Sequence, residues 1–488
     1  MRAFVAGVGG VYLAAFASLW VQLDGLFGSR GVFPAALFLE RLREWRGGAP
    51  WLERPTLLWL GAGDAALHAL CAAGVGLAIA ALAGIAPRLA FAGAWALYLS
   101  LVSAGGIFLA YQWDVLLLET GLLAVLVSPP GLLPFRRAWV RPHPFAIWLP
   151  RLLLVKLMFL SGAVKLLSGD PTWLDLTALS HHFETQPIPT WSSWLAHWIP
   201  APGLRAATFA ALAIELAFPV LVLAGRRGRL VAGAAFAALQ LGIAATGNYG
   251  FFNALTLVLC IALLDDRALV RLLPERLRPQ PRPPLDAPAP GRGARLRRIA
   301  FAAAALLLLS LSLLSVADRL RLPLPRPEAL RALQRQLAPF YVASSYGLFA
   351  VMTTERPEIE VLGSEDGQSW RPYLFRYKPG PPERAPRFAP LHLPRLDWQM
   401  WFAALDRCQD SPWLAGLFTR LLEGEPAVLG LLADDPFPER APRFVRADRW
   451  LYRFAPPGDA AWWRREAREL FCPPMELRGG RLAPAPAG

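Results

Sequence analysis

The residues best placed to do chemistry lie between Arg151 and Trp194, a stretch that reads RLLLVKLMFLSGAVKLLSGDPTWLDLTALSHHFETQPIPTWSSW. An apolar run carries two lysines, Lys156 and Lys165, and then opens into a segment crowded with Trp, His, Pro and acids. The chain has only three lysines, these two and Lys378, among 50 basic residues. A cation at the centre of a bilayer costs at least ~2.5 kcal/mol, less near a helix end where it can snorkel. A lysine retained there needs a partner, and a desolvated lysine has the chemistry of a general base. At ~100° per residue, Lys156 and Lys165 face opposite sides of one helix. They are not expected to share a site, and Lys156 reads as a structural partner or an inner-side snorkeller.

Other polar groups sit in equally apolar surroundings. Gln112, Asp114 and Glu119 lie in YQWDVLLLETGLLA, Glu215 in AALAIELAF, and Asn248 in the helix-breaking run TGNYG. Asp170 follows Lys165 closely. Glu119 or Asp114 is expected within reach of Lys165, directly or through one water, in a polar cavity below residues 168–203; a purely structural ion pair or plain snorkelling is the alternative. Asp64 and His68, at i and i+4, suit a metal or a proton relay, but without a third ligand hydrogen-bonded helix packing is preferred. His181, His182 and Glu184 read as loop residues rather than a metal site, because adjacent histidines do not easily point at one ion. Trp173, Trp191, Trp194 and Trp198 read as an interfacial belt. No metal ligand set, nucleophile elbow, phosphate-binding glycine loop or dinucleotide fingerprint appears.

The elements that must position these groups are set by hydropathy. The chain has 488 residues, is 55% hydrophobic, and has a mean hydropathy of +0.36, which matches a polytopic membrane protein and not a soluble one. Nine candidate spans occur at about 4–26, 57–85, 89–109, 111–128, 146–167, 204–225, 229–246, 251–265 and 298–317, each judged against ~20 residues for a crossing. The first lacks a small-residue cleavage site and is expected to remain as an anchor. The net charge of +14 is not a nucleic-acid signal, because the arginines cluster at the ends of apolar runs. Arg88; Arg136, Arg137 and Arg141; Arg226, Arg227 and Arg229; and the arginines from Arg267 to Arg298 all fall on one side under the nine-span scheme. The positive-inside rule makes that side, with the N-terminus, cytoplasmic. Residues 28–55, with five arginines against three glutamates on the other side, are the exception.

Residues 274–294 read as a Pro/Arg-rich cytoplasmic linker. The expected domains are therefore 1–317, polytopic, and 318–488, a soluble extracytoplasmic domain of mixed α/β, β-rich character. Residues 358–363, 364–367 and 371–377 read as strand, turn and strand. Residues 397–407, 412–422 and 461–471 read as short amphipathic helices. Cys71 and Cys260 lie in apolar runs. Cys408 and Cys472 lie in the C-terminal part, where extracytoplasmic exposure would allow a disulfide, two buried thiols being the alternative.

Several of these stretches together resemble the lipase maturation factor family: YQWDVLLLETGLLA at 111–124, SGAVKLLSGDPTWLDLTALSHHFETQPIP at 161–189, ATGNYGFFNALT at 245–256, and PFYVASSYGLFAVMTTERPEIEVLGSEDGQSWRPYLFRYKPG at 339–380. The resemblance implies a membrane protein that assists folding and maturation of secreted proteins such as lipases, without a cofactor. In eukaryotes that family resides in the endoplasmic reticulum membrane. The high Arg-to-Lys ratio and the lack of an N-x-S/T acceptor suggest a bacterial member in the plasma membrane. Client contacts are then expected on the external domain and on residues 168–203, through Trp173, His181, His182 and Glu184, with membrane lipid as the other partner. The helical half also resembles, more distantly, the membrane domain of the vitamin K-dependent gamma-carboxylase. Lys165-Leu166, Asp170 and Trp173 match the local pattern of its catalytic lysine, which implies as an alternative a membrane enzyme using a quinol with Lys165 as base. A transporter is a third, weaker reading, favoured by the break at TGNYG.

Overall fold

The computed structural model describes residues 2–133, 144–272, 275, 292–323 and 327–486. A helix occupies each of the nine apolar stretches: α1 Arg2–Trp20, α2 Asp64–Ala83, α3 Pro87–Ala104, α4 Gln112–Val127, α5 Pro144–Leu167, α6 Ala201–Leu216, α7 Gly225–Thr246, α8 Phe252–Ile261 and α9 Arg292–Arg319. Among the described residues, five helices (α1, α2, α5, α7 and α9) are long and apolar enough to cross a membrane. The number is six if Trp191–His197 and α6, bent by 112° at their junction, count as one span. Length and composition alone thus support five or six of the nine expected spans. A 16-residue helix such as α4 or α6 rises only ~24 Å, short of the ~30 Å hydrocarbon core, and α8 has 10 residues. Arg136, Arg137, Arg141 and most of the 274–294 linker lie outside the described residues.

Small residues let these helices approach closely. A Cβ at Gly9 of α1 would lie 2.6 Å from the backbone nitrogen of Leu82, and one at Gly121 of α4 would overlap the Tyr12 hydroxyl. Polar residues then hold the packed faces. Asp64 accepts from the backbone and hydroxyl of Ser29 (2.7 and 2.6 Å), while His68 bridges Trp20 Nε1 (2.8 Å) and Asp24 (2.9 Å).

The C-terminal part is a five-stranded antiparallel sheet flanked by short helices. Its strands are β1 Arg356–Ser364, β2 Arg371–Pro372, β3 Phe444–Phe454, β4 Trp463–Arg478 and β5 Arg481–Pro484, in the order β2-β1-β3-β4-β5. The turn after β1 is set by Ser364 and Asp366. The amides of Gln368 and Ser369 donate to the Asp366 carboxyl (both 2.8 Å) and, as backbone donors to its charged form, hold it below the usual carboxylate range. Gly367 takes a φ of 76°, open to glycine. The second strand is shorter than expected: β2 pairs with β1 at Arg371 and Pro372, and Phe375 bridges to Leu432 instead. Helices Arg395–Leu405 and Trp413–Glu423 lie close to their expected positions.

The segment 461–471 is a correction. Its Arg/Glu/Ala composition favours a helix, yet it forms the first part of β4, paired with β3. Its charges find partners across the sheet: Arg465 with Glu360 (2.8 Å), Glu469 with Arg449 (2.5 Å), and Arg468 with Asp448. Cross-strand pairing and burial of Trp463 and Cys472 override local propensity. Cys472 is disulfide-bonded to Cys408, with Cα atoms 5.5 Å apart, which ties β4 to the turn that follows helix Arg395–Leu405.

One buried apolar cluster runs from Phe4 to Cys472, so the sheet region is packed onto the helical region. Charged and polar groups cross that seam. Arg395 is buried and donates to both oxygens of Asp114 (2.9 and 2.7 Å) and to the Phe108 carbonyl (2.6 Å). Burial alone would lower the Arg395 pKa; the Asp114 charge outweighs it and holds the guanidinium above its usual range. Gln22 accepts from Arg395 N (2.9 Å), and Ser18 accepts from Leu393 N (2.9 Å).

Candidate functional site

The two lysines of α5 build separate sites. Gly162, one turn before Lys165, sits against α6, where a Cβ would come within 2.9 Å of the Glu215 Cβ. That close approach brings Lys165 Nζ to 2.6 Å from both Glu215 oxygens. The same ammonium lies 4.9 Å from the centre of the Trp173 ring, a cation–π contact. On the opposite side of α5, Lys156 Nζ lies 2.5 Å from Glu119 Oε1 on α4 and 5.3 Å from the Tyr346 ring. All four charged side chains are buried. The expected pairing of Lys165 with Glu119 or Asp114 is thus corrected: Glu119 holds Lys156, Asp114 holds Arg395, and Lys165 takes Glu215. The phase of α5 is the reason, since it turns Lys156 toward α4 and Lys165 toward α6.

Chain packs against the groups expected to line a polar cavity. Residues 344–352 lie across the membrane-type polar groups. Glu119 Oε2 accepts from the Tyr346 hydroxyl (2.6 Å) and from Ser344 N (3.1 Å). Gln112 pairs with the Gly347 peptide through both amide atoms, at 2.9 and 3.3 Å. Asp170 caps the short helix Pro171–Leu174 with one oxygen, accepting from Thr172 N at 2.8 Å, as an Asp-Pro start favours. Its other oxygen accepts from Met352 N at 2.5 Å. Trp173 is buried rather than interfacial, and its Nε1 donates to the Phe349 carbonyl at 3.0 Å.

The segment expected to meet clients is largely covered by the protein's own sheet region. Glu184 is buried and accepts from Phe454 N (2.6 Å), with Arg453 at 3.4 Å. Arg356 grips the turn after it, donating to the carbonyls of Glu184 (2.7 Å), Gln186 (2.5 Å) and Pro187 (3.0 Å). His182 is half-buried beside Tyr249 (3.2 Å) and the Phe349 ring; burial first, then the Lys165 charge, lowers its pKa to about 4. His181 is half-buried on helix Ala178–Thr185. Asn248 of the TGNYG break bridges the Ile188 carbonyl (3.3 Å) to the backbone of Arg387 and Ala389 (both 2.7 Å). Trp194 donates to the Ala455 carbonyl (2.8 Å), which leaves Trp191 and Trp198 as the exposed members of the expected belt.

Sequence reasoning missed Arg395 and Tyr346 as partners of the membrane-type polar groups, and Arg356 as the partner of the turn at 184–187. Their local sequence carries no sign of it, because each meets its partner across more than 150 residues of chain. The stoichiometry was the available signal: the three buried acids of α4 and α6 each needed a cation or donor, and α5 supplies only two lysines, its Arg151 donating to the Ala262 carbonyl.

Comparison with known proteins follows the same two-part division. Residues 1–271 match the model of the Lipase maturation factor transmembrane domain, and residues 342–473 match that of the Lipase maturation factor C-terminal domain. The chain is 37% identical over 582 residues to Lipase maturation factor 2 of Mus musculus, an alignment that covers 97% of this chain and 82% of that protein. It is 36% identical to Lipase maturation factor 2 of Homo sapiens, with 97% and 82% covered. It is 31% identical to Lipase maturation factor 1 of Mus musculus, with 96% and 85% covered. No solved structure matches the chain.

Proposed function

The chain belongs to the lipase maturation factor family, and we propose that it assists the folding and maturation of exported proteins such as lipases from a multi-pass position in a membrane. The observation that carries this reading is the extent of the similarity. It covers the helical region, the sheet region and the residues that join them, and both groups of relatives share it.

The proposed orientation, which takes all nine apolar helices as crossings, has the N-terminus and residues 266–297 in the cytoplasm and residues 318–488 outside, so that the arginine-rich segments share one side. The disulfide Cys408–Cys472 supports an oxidising environment for that region. In a bacterial cell this corresponds to the plasma membrane, and in a eukaryotic cell to the endoplasmic reticulum. The client-facing surface is assigned to the exposed sheet region, since Trp173 and Glu184 are committed to internal contacts. The carboxylase-like alternative finds no support among the comparisons. Lys165, its candidate base, is turned onto Glu215 and the Trp173 ring.

The test is complementation. Cells lacking their own lipase maturation factors would co-express a secreted lipase with or without this chain. The expected result is a higher ratio of lipase activity to lipase mass in the medium. An unchanged ratio, with the chain present in the membrane, would overturn the reading. Alkaline phosphatase fused after Pro339 tests the orientation; an inactive fusion overturns it.

A further inference from the structure

Residues 341–353 form no helix or strand, although they lie against the polar centre of the molecule. Their amides are taken up by side chains of the helical region. Glu119 accepts from Ser344 N, Gln112 pairs with both sides of the Gly347 peptide, and Asp170 accepts from Met352 N. Trp173 donates to the Phe349 carbonyl. Most of these bonds address main-chain atoms. Such a set recognises an extended segment with little regard for its sequence. The side chains add a coarse filter. Phe349 sits between the rings of His182 and Tyr249, with centroids 4.9 and 5.9 Å away. Gly347 is required in its place because a Cβ would come within 2.9 Å of Val164 and 2.8 Å of the Arg319 guanidinium.

The strap is held under strain. Phe349 and Tyr341 take φ values of 52° and 51°, the left-handed region that bulky residues rarely occupy. Ser345 and Val351 are exposed, and most of the remainder is half-buried. Polar handles hold the main chain of the strap, while Tyr346 and Met352 enter apolar clusters.

We propose that Gln112, Glu119, Asp170 and Trp173 line a peptide site that reads main chain, and that residues 344–352 are its internal occupant. An extended client segment carrying an aromatic residue enters by displacing the strap. The nature of the occupant rests on the maturation reading; the site itself does not.

A fluorescent peptide with the sequence of Ser344–Met352 is the probe, read by anisotropy against the full chain in detergent. The strap reduces apparent affinity by the fraction of molecules in which the site is open, so Tyr346→Ala with Phe349→Ala is expected to tighten binding by ~10-fold or more over wild type. Tyr346→Phe alone, which removes a single hydroxyl, should move affinity in the same direction. Adding Gln112→Ala and Asp170→Ala should reverse the gain. A benzophenone in place of the peptide's phenylalanine should cross-link to helix Ala178–Thr185 or to Tyr249. Equal binding to wild type and to both strap variants, or cross-links that map elsewhere, would overturn the proposal. Peptide binding without lipase maturation would leave this site standing and remove the maturation reading. Lipase maturation with no peptide bound to either strap variant would remove this site alone.

Discussion

Lys156 and Lys165 occupy one helix, and each is bound to a buried glutamate, but the two sites join different parts of the molecule. Lys165 and Glu215 connect α5 to α6, with Trp173 over the ammonium, and every member belongs to the helical region. Lys156 and Glu119 connect α5 to α4, and Glu119 also binds Tyr346 and Ser344, which precede the sheet. The first site is a closed pair. The second is a junction whose carboxylate serves several donors. A paired charge in a low-dielectric setting has to be satisfied as a set, so losing one member has consequences that depend on how many others it supported.

The sharpest test of that contrast removes the acids. Glu215→Leu is expected to destabilise by ~3–5 kcal/mol, because it leaves a buried ammonium unpaired. Glu119→Leu should cost more, by roughly a further 1.5–3 kcal/mol, since two further donors lose a charged acceptor. Thermal unfolding in detergent measures both, and a larger loss at Glu215 would break the comparison.

Removing both members of each pair should sharpen it. Lys165→Leu with Glu215→Leu is expected to recover most of the single-variant loss, as replacement of a buried pair by apolar residues is often neutral within ~1 kcal/mol or better. Lys156→Leu with Glu119→Leu should stay destabilised, because Tyr346 and Ser344 remain without their acceptor. Equal recovery at the two sites would mean that the strap contacts contribute little.

Tyr346→Phe should cost ~1.5–3 kcal/mol, the range for a hydrogen bond to a charged group. Its effect should vanish in a Glu119→Leu background and persist beside Lys165→Leu. A double-mutant cycle reads this directly, with coupling expected only at the Glu119 site.

The smallest effect concerns the seam. His392 lies beside Ser18 (3.1 Å), and burial first, then Arg395 and Arg376, lowers its pKa from 6.5 to about 4. The unfolded chain therefore takes up this proton between pH 6.5 and 4 while the folded protein does not. Stability is full above pH 6.5 and falls as pH drops toward 4, by at most ~3 kcal/mol and by about 1 once partial exposure is allowed for. Melting curves from pH 7 to 4 should be flatter for His392→Gln than for the wild type.

Much of the helical architecture was legible because membrane-type hydrophobicity is a local property. The nine apolar stretches are all helices, and sequence spacing alone sets the two lysines of α5 on opposite faces. Crossing was less legible, because helix length is set by the breaks at Gly105, Ala217 and Gly247 rather than by mean hydropathy. The strand assignment of 463–471 was hidden, because Arg, Glu and Ala favour a helix until β3 offers cross-strand partners.

By itself, the sequence determined that two cations and several acids had to be buried and compensated, that a β-rich region followed the helices, and that the chain resembled the lipase maturation factors. Which acid took which cation was decided only by the tertiary structure. Ion pairs form between residues that are distant along the chain, and their geometry depends on how closely helices pack at positions such as Gly162. The same holds for the strap over the polar centre. Hydropathy states that a buried charge needs a partner, but partner choice is a three-dimensional property that no local pattern encodes.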